Sequence, residues 1–393
     1  PDVVIIGGGL HGCSTAFHLL RREPSLTAVV IERDATYKRA ASALSHAGLR
    51  SLWSQEENLA MSLYGQEFFG NFADLCEIAG EPAYLDFWRQ GYLFIANTAA
   101  QADAMEANFR FQQKMGADTQ LLSGDQLQDL YPGFNTSDVN CANYGPNDGW
   151  IDPYGALTGL RRKVQSMGAD FVNADVTDIE CSNGNARRAV CSDGRRIDAD
   201  FIVNTAGAWA YEICAMMGFD IPVRPLHRTT FYFEPAEPQP TLPQTLDGQP
   251  AAFRQQGAGF LTGLTQFERS GSFCWEPDYK LFEQTIWPRI ARRYPAFTSL
   301  KLKNAWACHY AQNLFDGNML IGSWPGQPAN FLISTGFSGH GLQHAPAAGR
   351  ALSELILDGR FETIDLERFH ARRVTEGRPE PESGVKALSL IHI

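Results

Sequence analysis

Apolar positions near the N-terminus come in short runs with sharp breaks. Asp2 to Ile6 is a β-branched apolar stretch, which predicts a parallel strand buried on both faces. Gly7, Gly8 and Gly9 interrupt it. From Leu10 to Arg22 the apolar residues Leu10, Ala16, Phe17, Leu19 and Leu20 predict a helix. A turn at Pro24-Ser25 leads to a second apolar strand, Leu26 to Ile31, so the chain opens with a βαβ unit. Further on, helices are expected over 55–79, 101–115, 123–130, 155–167, 283–294 and 346–357. Strands are expected over 92–96, 170–180, 197–204, 229–233, 259–263 and 272–275. The proline-rich stretch 235–250 reads as a surface loop. No internal repeat or low-complexity segment interrupts this pattern.

The pattern describes a fold class, and composition narrows it. The chain has 393 residues, 44% hydrophobic and 20% charged, enough for two or three domains with large cores. The net charge of −11 disfavours nucleic acid and anionic lipid as partners. No apolar run approaches the roughly 20 residues of a membrane-spanning helix. Eight scattered cysteines without a C-x-x-C pair indicate no zinc ribbon, no disulfide framework and no metal site. A reducing, cytoplasmic location is expected, with any N-terminal targeting region out of view. The tail 386–393 has no periodic pattern and is expected to be a linker-like extension without function.

The first chemical signal is Gly7-x-Gly9-x-x-Gly12 between strand and helix. Gly7 allows the tight turn, Gly9 lets a pyrophosphate approach the backbone, and Gly12 lets helix and strand pack closely. The helix start offers free N–H groups and a positive dipole to the phosphates. Glu32 follows about 20 residues on, where an acidic side chain binds ribose hydroxyls. These features predict a dinucleotide. Phe337-Ser338-Gly339-His340-Gly341 is a second glycine-rich turn before a helix. Its small residues let backbone lie against a flat ring, and the helix start would favour negative charge on a reduced flavin.

Several blocks resemble the D-amino-acid-oxidase-type FAD superfamily, which contains glycine oxidase and monomeric sarcosine oxidase. They are Ala41 to Arg50, Asn204 to Trp209 and Thr335 to Gly341. Gly336 to Arg350, Gly359 to Leu366 and Gly159 to Ser166 most resemble the mitochondrial FAD-dependent oxidoreductase-domain proteins linked to respiratory complex I assembly, and their bacterial relatives. The resemblance implies a mixed α/β (α+β) protein. A Rossmann-like FAD-binding domain, discontinuous over 1–75, 146–215 and 316–385, would interleave with a substrate domain, 76–145 and 216–315, on a mainly antiparallel sheet.

The FAD contacts implied by this resemblance add Leu10, His11, Arg33 and Val176 to the N-terminal fingerprint. They include Ser42, Ser45, His46, Ala47, Gly48 and Leu49 after the second strand, and Ala206, Gly207 and Trp209 at a later strand end. Gly336, Gly339, His340, Gly341, Leu342 and Gln343 complete them in the C-terminal loop. His46 and Arg50 would lie beside the isoalloxazine, opposite the substrate. Cys308 stands where monomeric sarcosine oxidase bonds its flavin covalently. One extra residue before Asp316 shifts that register, and noncovalent FAD is expected.

The resemblance also implies oxidation of a C–N bond in an amino acid or secondary amino acid, with hydride passing to flavin N5 and the imine hydrolysing. Oxygen or another acceptor would reoxidise the flavin; Leu261, where sarcosine oxidases carry a lysine, tilts this towards a dehydrogenase. Tyr310 and Gln343 occupy the places where relatives carry carboxylate-binding cations. Arg254 is therefore the expected anchor, ahead of His227, Arg228 and His309, with Tyr310 and His309 orienting the amine. The alternative is a flavin-holding assembly protein with little turnover. An NAD-dependent dehydrogenase is disfavoured by the C-terminal loop.

Overall fold

The computed structural model describes residues 1–249 and 251–383; the tail 386–393 and Pro250 lie outside them. The strand Val3–Ile6 runs at the centre of a six-stranded sheet, parallel to Ala28–Glu32 on one side and Phe201–Asn204 on the other. Asp170–Asn173 and Phe331–Thr335 extend the sheet in parallel, and Leu320–Ser323 closes one edge antiparallel. Val3 and Ile5 face one core, with the helices Leu10–Arg22, Pro153–Ser166 and Gly341–Leu357. Val4 and Ile6 face a second, with the hairpin Val176–Ser182/Asn185–Cys191 and the helix Ala210–Met216. Burial on both faces is why this strand reads as an unbroken apolar run. The first and last long helices pack backbone to backbone. A Cβ on Gly349 would stand 2.2 Å from Ser14 Oγ and 2.5 Å from the Ser14 carbonyl carbon.

A second sheet has eight strands, in the order Leu300–Asn313, Val223–Pro235, Gly259–Ser270, Ala251–Gln256, Gln244–Asp247, Tyr92–Ala96, Cys141–Gly145, Gln120–Leu122. Every pairing is antiparallel except Gln244–Asp247 with Tyr92–Ala96. This is the mixed α/β architecture, with a mainly antiparallel second sheet, that the family resemblance implies.

Several boundaries differ from expectation. The stretch 170–180 is two strands in two sheets, separated at Ala174-Asp175. The helix-biased stretch 55–79 forms Glu56–Gly70 and Phe72–Leu75, divided at Asn71. Part of the proline-rich loop, Gln244–Asp247, is a strand. Residues 272–275 form no strand, because Phe273 and Trp275 turn aside to stack on Trp209 at 4.5 and 6.2 Å. The apolar pattern does not predict the strand Leu300–Asn313, since its outer half carries exposed Lys301 and Lys303 and lacks an apolar run.

Candidate active site

A cleft of about 570 Å³ opens at the C-terminal ends of the parallel strands, where doubly wound sheets bind ligands. The three fingerprint glycines meet different constraints there. Gly7 has φ +101°, and a Cβ on it would lie 2.7 Å from the Thr205 carbonyl oxygen. A Cβ on Gly12 would lie 2.0 Å from the Gly7 carbonyl oxygen. Both glycines are required by the protein's own packing. Gly9 is different: its Cβ would meet only the Ser42 Oγ, at 3.3 Å. Nothing in the fold itself fills that space, which is what a backbone awaiting a pyrophosphate would show.

The remaining walls of the cleft suit an adenine dinucleotide. The helix Leu10–Arg22 starts at Gly9, which offers no capping side chain, and has no acidic residue in its first turn. Ser42 Oγ accepts from Leu10 N–H at 3.2 Å, and the helix dipole is directed at the cleft that Gly9 and Leu10 line. Glu32 accepts from Gly8 N–H at 2.8 Å and Asp34 N–H at 2.9 Å, and burial raises its pKa. Arg33 lies 5.0 Å over the Trp209 ring and pairs with Asp175 at 2.9 Å. Leu10, His11, Ser42, Ser45, Val176, Ala206 and Gly207 also line the cleft. Burial pulls His11 down to about 4, leaving it neutral near pH 7.

The C-terminal loop builds the far end. Gly339 has φ +94°, and a Cβ there would strike the Tyr310 ring at 2.5 Å. Ala47 and Ser338 hold positive φ, 55° and 48°, without being glycine. Such conformations cost about 1–3 kcal/mol each and persist where surrounding structure enforces them. The helix Gly341–Leu357 also starts uncapped by a side chain, with no acid in its first turn. Gly341 and Leu342 line the cleft beside it.

A second cavity of about 190 Å³ adjoins the first, and Ser45, Tyr310, Ser338, Gly339 and Leu342 line both. It brings together His46, Arg50 and Tyr310, with Ala47, Gly48, His340 and Gln343 among its walls. It also includes Arg228, which sequence reasoning ranked below Arg254. Arg228 donates through Nη1 to the Tyr310 hydroxyl, and its Nη2 lies 3.2 Å from His46 Nδ1. His46 Nε2 lies 3.1 Å from Thr230 Oγ1. Because a guanidinium can only donate, His46 Nδ1 is an acceptor and Nε2 carries the proton. Burial, then Arg228 and Arg254, hold the His46 pKa well below its usual range. His46 is neutral, and the cations here are arginines.

Arg50 sits 3.9, 5.8 and 5.7 Å from the Trp53, Tyr92 and Phe94 ring centres. Its Nε is buried without an acceptor. Arg254, the anchor expected from sequence, lines neither cavity. It is buried against Trp150 and donates to the Gln255 carbonyl at 3.0 Å and Gln256 Oε1 at 2.7 Å, and burial pushes its pKa down to about 9. His309 lines the cofactor cleft, its Nε2 accepting from Cys274 N–H at 3.0 Å. Its pKa is lowered to about 4, chiefly by burial. Burial raises the pKa of Tyr310. Cys308 is buried beside Arg228 in the sheet register, lines neither cavity, and has its thiol pushed up to about 11 by burial. Gly12, Leu49 and Gly336 lie behind the walls as packing residues.

Sequence reasoning missed Thr205, whose Oγ1 donates to the Gly7 carbonyl at 2.9 Å, and the cavity residues Tyr92 and Gln244. It also missed Phe273 and Trp275 over the cleft. Their alternation, Phe273-x-Trp275, was the available signal.

Fold and cleft together define a flavin-dependent oxidoreductase. The FAD dependent oxidoreductase (DAO) family matches residues 2–355, and the chain belongs to it. Among relatives, bovine (Bos taurus) FAD-dependent oxidoreductase domain-containing protein 1 is 37% identical over 97% of this chain and 86% of its own length. Human (Homo sapiens) mitochondrial sarcosine dehydrogenase is 27% identical over 94% of this chain and 41% of its own. The crystal structure of L-proline dehydrogenase from P. horikoshii superposes with a TM-score of 0.86, at 25% identity, covering 96% of this chain and 99% of that one. FAD is the cofactor of this family. No helix among the described residues is long and apolar enough to cross a membrane.

Proposed function

We propose that this protein oxidises the C–N bond of an amino acid or N-substituted amino acid. The observation that carries this reading is Arg228, joined to Tyr310 where the two cavities meet. FAD would lie in the larger cleft, held by the fingerprint backbone, Glu32 and the helix starting at Gly341. When bound it supplies the hydride acceptor that turns an amine into a water-labile imine. Arg228 offers a fixed cation to the substrate carboxylate, replacing Arg254 in that role. Its bond to Tyr310 sets the hydroxyl at the boundary between carboxylate and ring, where it orients the amine. The Tyr310 hydroxyl stays protonated, because burial raises its pKa, and it can therefore donate or accept in turn. Neutral His46 holds the second Arg228 nitrogen without adding charge. Arg254 backs this wall electrostatically.

The two sheets support the division into an FAD domain, 1–75, 146–215 and 316–385, and a substrate domain between. Eight free thiols suit a reducing compartment. The test is anaerobic mixing of the FAD-loaded protein with N-methyl and cyclic amino acids. Bleaching of the flavin supports the reading; an unbleached flavin across the panel favours a flavin-holding assembly protein.

A further inference from the structure

The second cavity holds more positive charge than one carboxylate needs. Arg50 and Arg228 both line it, and neither lines the cofactor cleft. Each leaves a buried Nε without an acceptor. Among the described residues, no carboxylate pairs with either guanidinium. The acid on the cavity wall, Asp247, is already held by Arg293, Nε to Oδ2, at 2.5 Å. Asp148, the nearby acid behind the wall, is engaged by Ser51 N–H at 2.8 Å and Gln66 Nε2 at 2.7 Å. Half-buried guanidinium groups without a paired carboxylate are costly unless a ligand supplies one.

The two arginines also differ in setting. Arg228 stands with Tyr310 at the cofactor boundary. Arg50 stands among the rings of Trp53, Tyr92 and Phe94, a setting that fixes a guanidinium plane while leaving its edge donors open. Tyr92 and Phe94 line the second cavity alone. This sets Arg50, expected beside the isoalloxazine on the face opposite the substrate, against the substrate-domain residues Tyr92 and Phe94 of the second cavity instead.

We propose that the substrate is a compact N-substituted amino acid with two anionic groups, its α-carboxylate on Arg228 and a second carboxylate on Arg50. This rests on the amine-oxidation reading and narrows its substrate class. The cavity of about 190 Å³ restricts the second group to a short arm.

Two thioethers that cannot be oxidised as amines test it: thiodiacetate, with two carboxylates, and methylthioacetate, with one. Each is titrated into the FAD-loaded protein, following the flavin spectrum and the melting temperature. A second charge-assisted pair should make thiodiacetate bind about tenfold or more tightly. Arg50→Gln should reduce that ratio towards one, and Arg50→Lys should retain part of it. Equal affinities for the two thioethers overturn the two-anion substrate while leaving the amine reading in place. A ratio unchanged in Arg50→Gln overturns the role of Arg50. Failure of both thioethers to perturb flavin or melting temperature, in a protein that holds FAD, counts against the amine reading itself.

Discussion

Arg228 Nη2 lies 3.2 Å from His46 Nδ1, and this contact fixes the protonation of the histidine. An imidazolium would turn a donor towards a guanidinium, so the ring stays neutral and passes its own proton towards Thr230. The cation that can meet a substrate carboxylate at this boundary is then Arg228. Arg228→Gln should lower kcat/KM for a carboxylated amine by about a hundredfold or more, corresponding to about 2–5 kcal/mol for a truncated charge pair. Arg228→Lys should recover part of the loss. Steady-state kinetics at constant FAD content check this, and a change of only a few-fold would move the anchor elsewhere.

The fingerprint glycines should separate folding from cofactor binding. At Gly12 a side chain meets the Gly7 carbonyl oxygen at 2.0 Å, so Gly12→Val should prevent or strongly destabilise folding. At Gly9 the nearest atom is Ser42 Oγ at 3.3 Å. Gly9→Val should keep an apoprotein melting temperature close to that of the parent while weakening FAD binding about tenfold or more. Calorimetry of both apoproteins and an FAD titration distinguish the two effects.

Cys308 should not carry the flavin. Its thiol, pushed up to about 11, is protonated at neutral pH, and only the thiolate is a good nucleophile. Acid precipitation should leave the flavin in the supernatant, and the intact mass should equal that of the polypeptide. Flavin retained in the pellet would show that the strand can present the sulfur to the ring.

His11 gives a pH signature. Its folded pKa of about 4 lies below the ordinary 6.5 because burial disfavours the charged form. The unfolded chain therefore binds more protons between those values, and the stability linked to neutral His11 is lost as pH falls from 6.5 towards 4. Relative to the parent, His11→Gln should gain stability as pH falls through that window. Chemical denaturation of the apoproteins at several pH values checks it; a constant difference would mean that His11 does not titrate in that range.

The parts of the site legible in sequence are those whose chemistry is local. Gly7, Gly9, Gly12 and Glu32 follow one another along a single strand–helix–strand unit, so spacing alone relates them. Spacing relates neither Arg228 nor Arg254 to the ligand, and the elimination that favours Arg254 does not see the sheet. Each lies on a strand of the second sheet, and which residue faces the ligand depends on strands far away in sequence. Arg228 stands opposite Cys308 and Arg254 opposite Leu261. A shift of one residue in either register would exchange the faces. The strand Leu300–Asn313 is not legible in the sequence for a related reason: it carries exposed lysines where the sheet meets solvent.

Anaerobic reduction tests the central claim most directly. FAD-loaded protein is mixed with a panel of N-methyl, cyclic and N-carboxyalkyl amino acids, alongside Arg228→Gln, and flavin absorbance is followed in time. The expected result is bleaching by at least one carboxylated secondary amine, with imine-derived product equal to flavin reduced, and much slower bleaching in the variant. A protein replete with FAD whose flavin stays oxidised through the whole panel would contradict amine oxidation as its function.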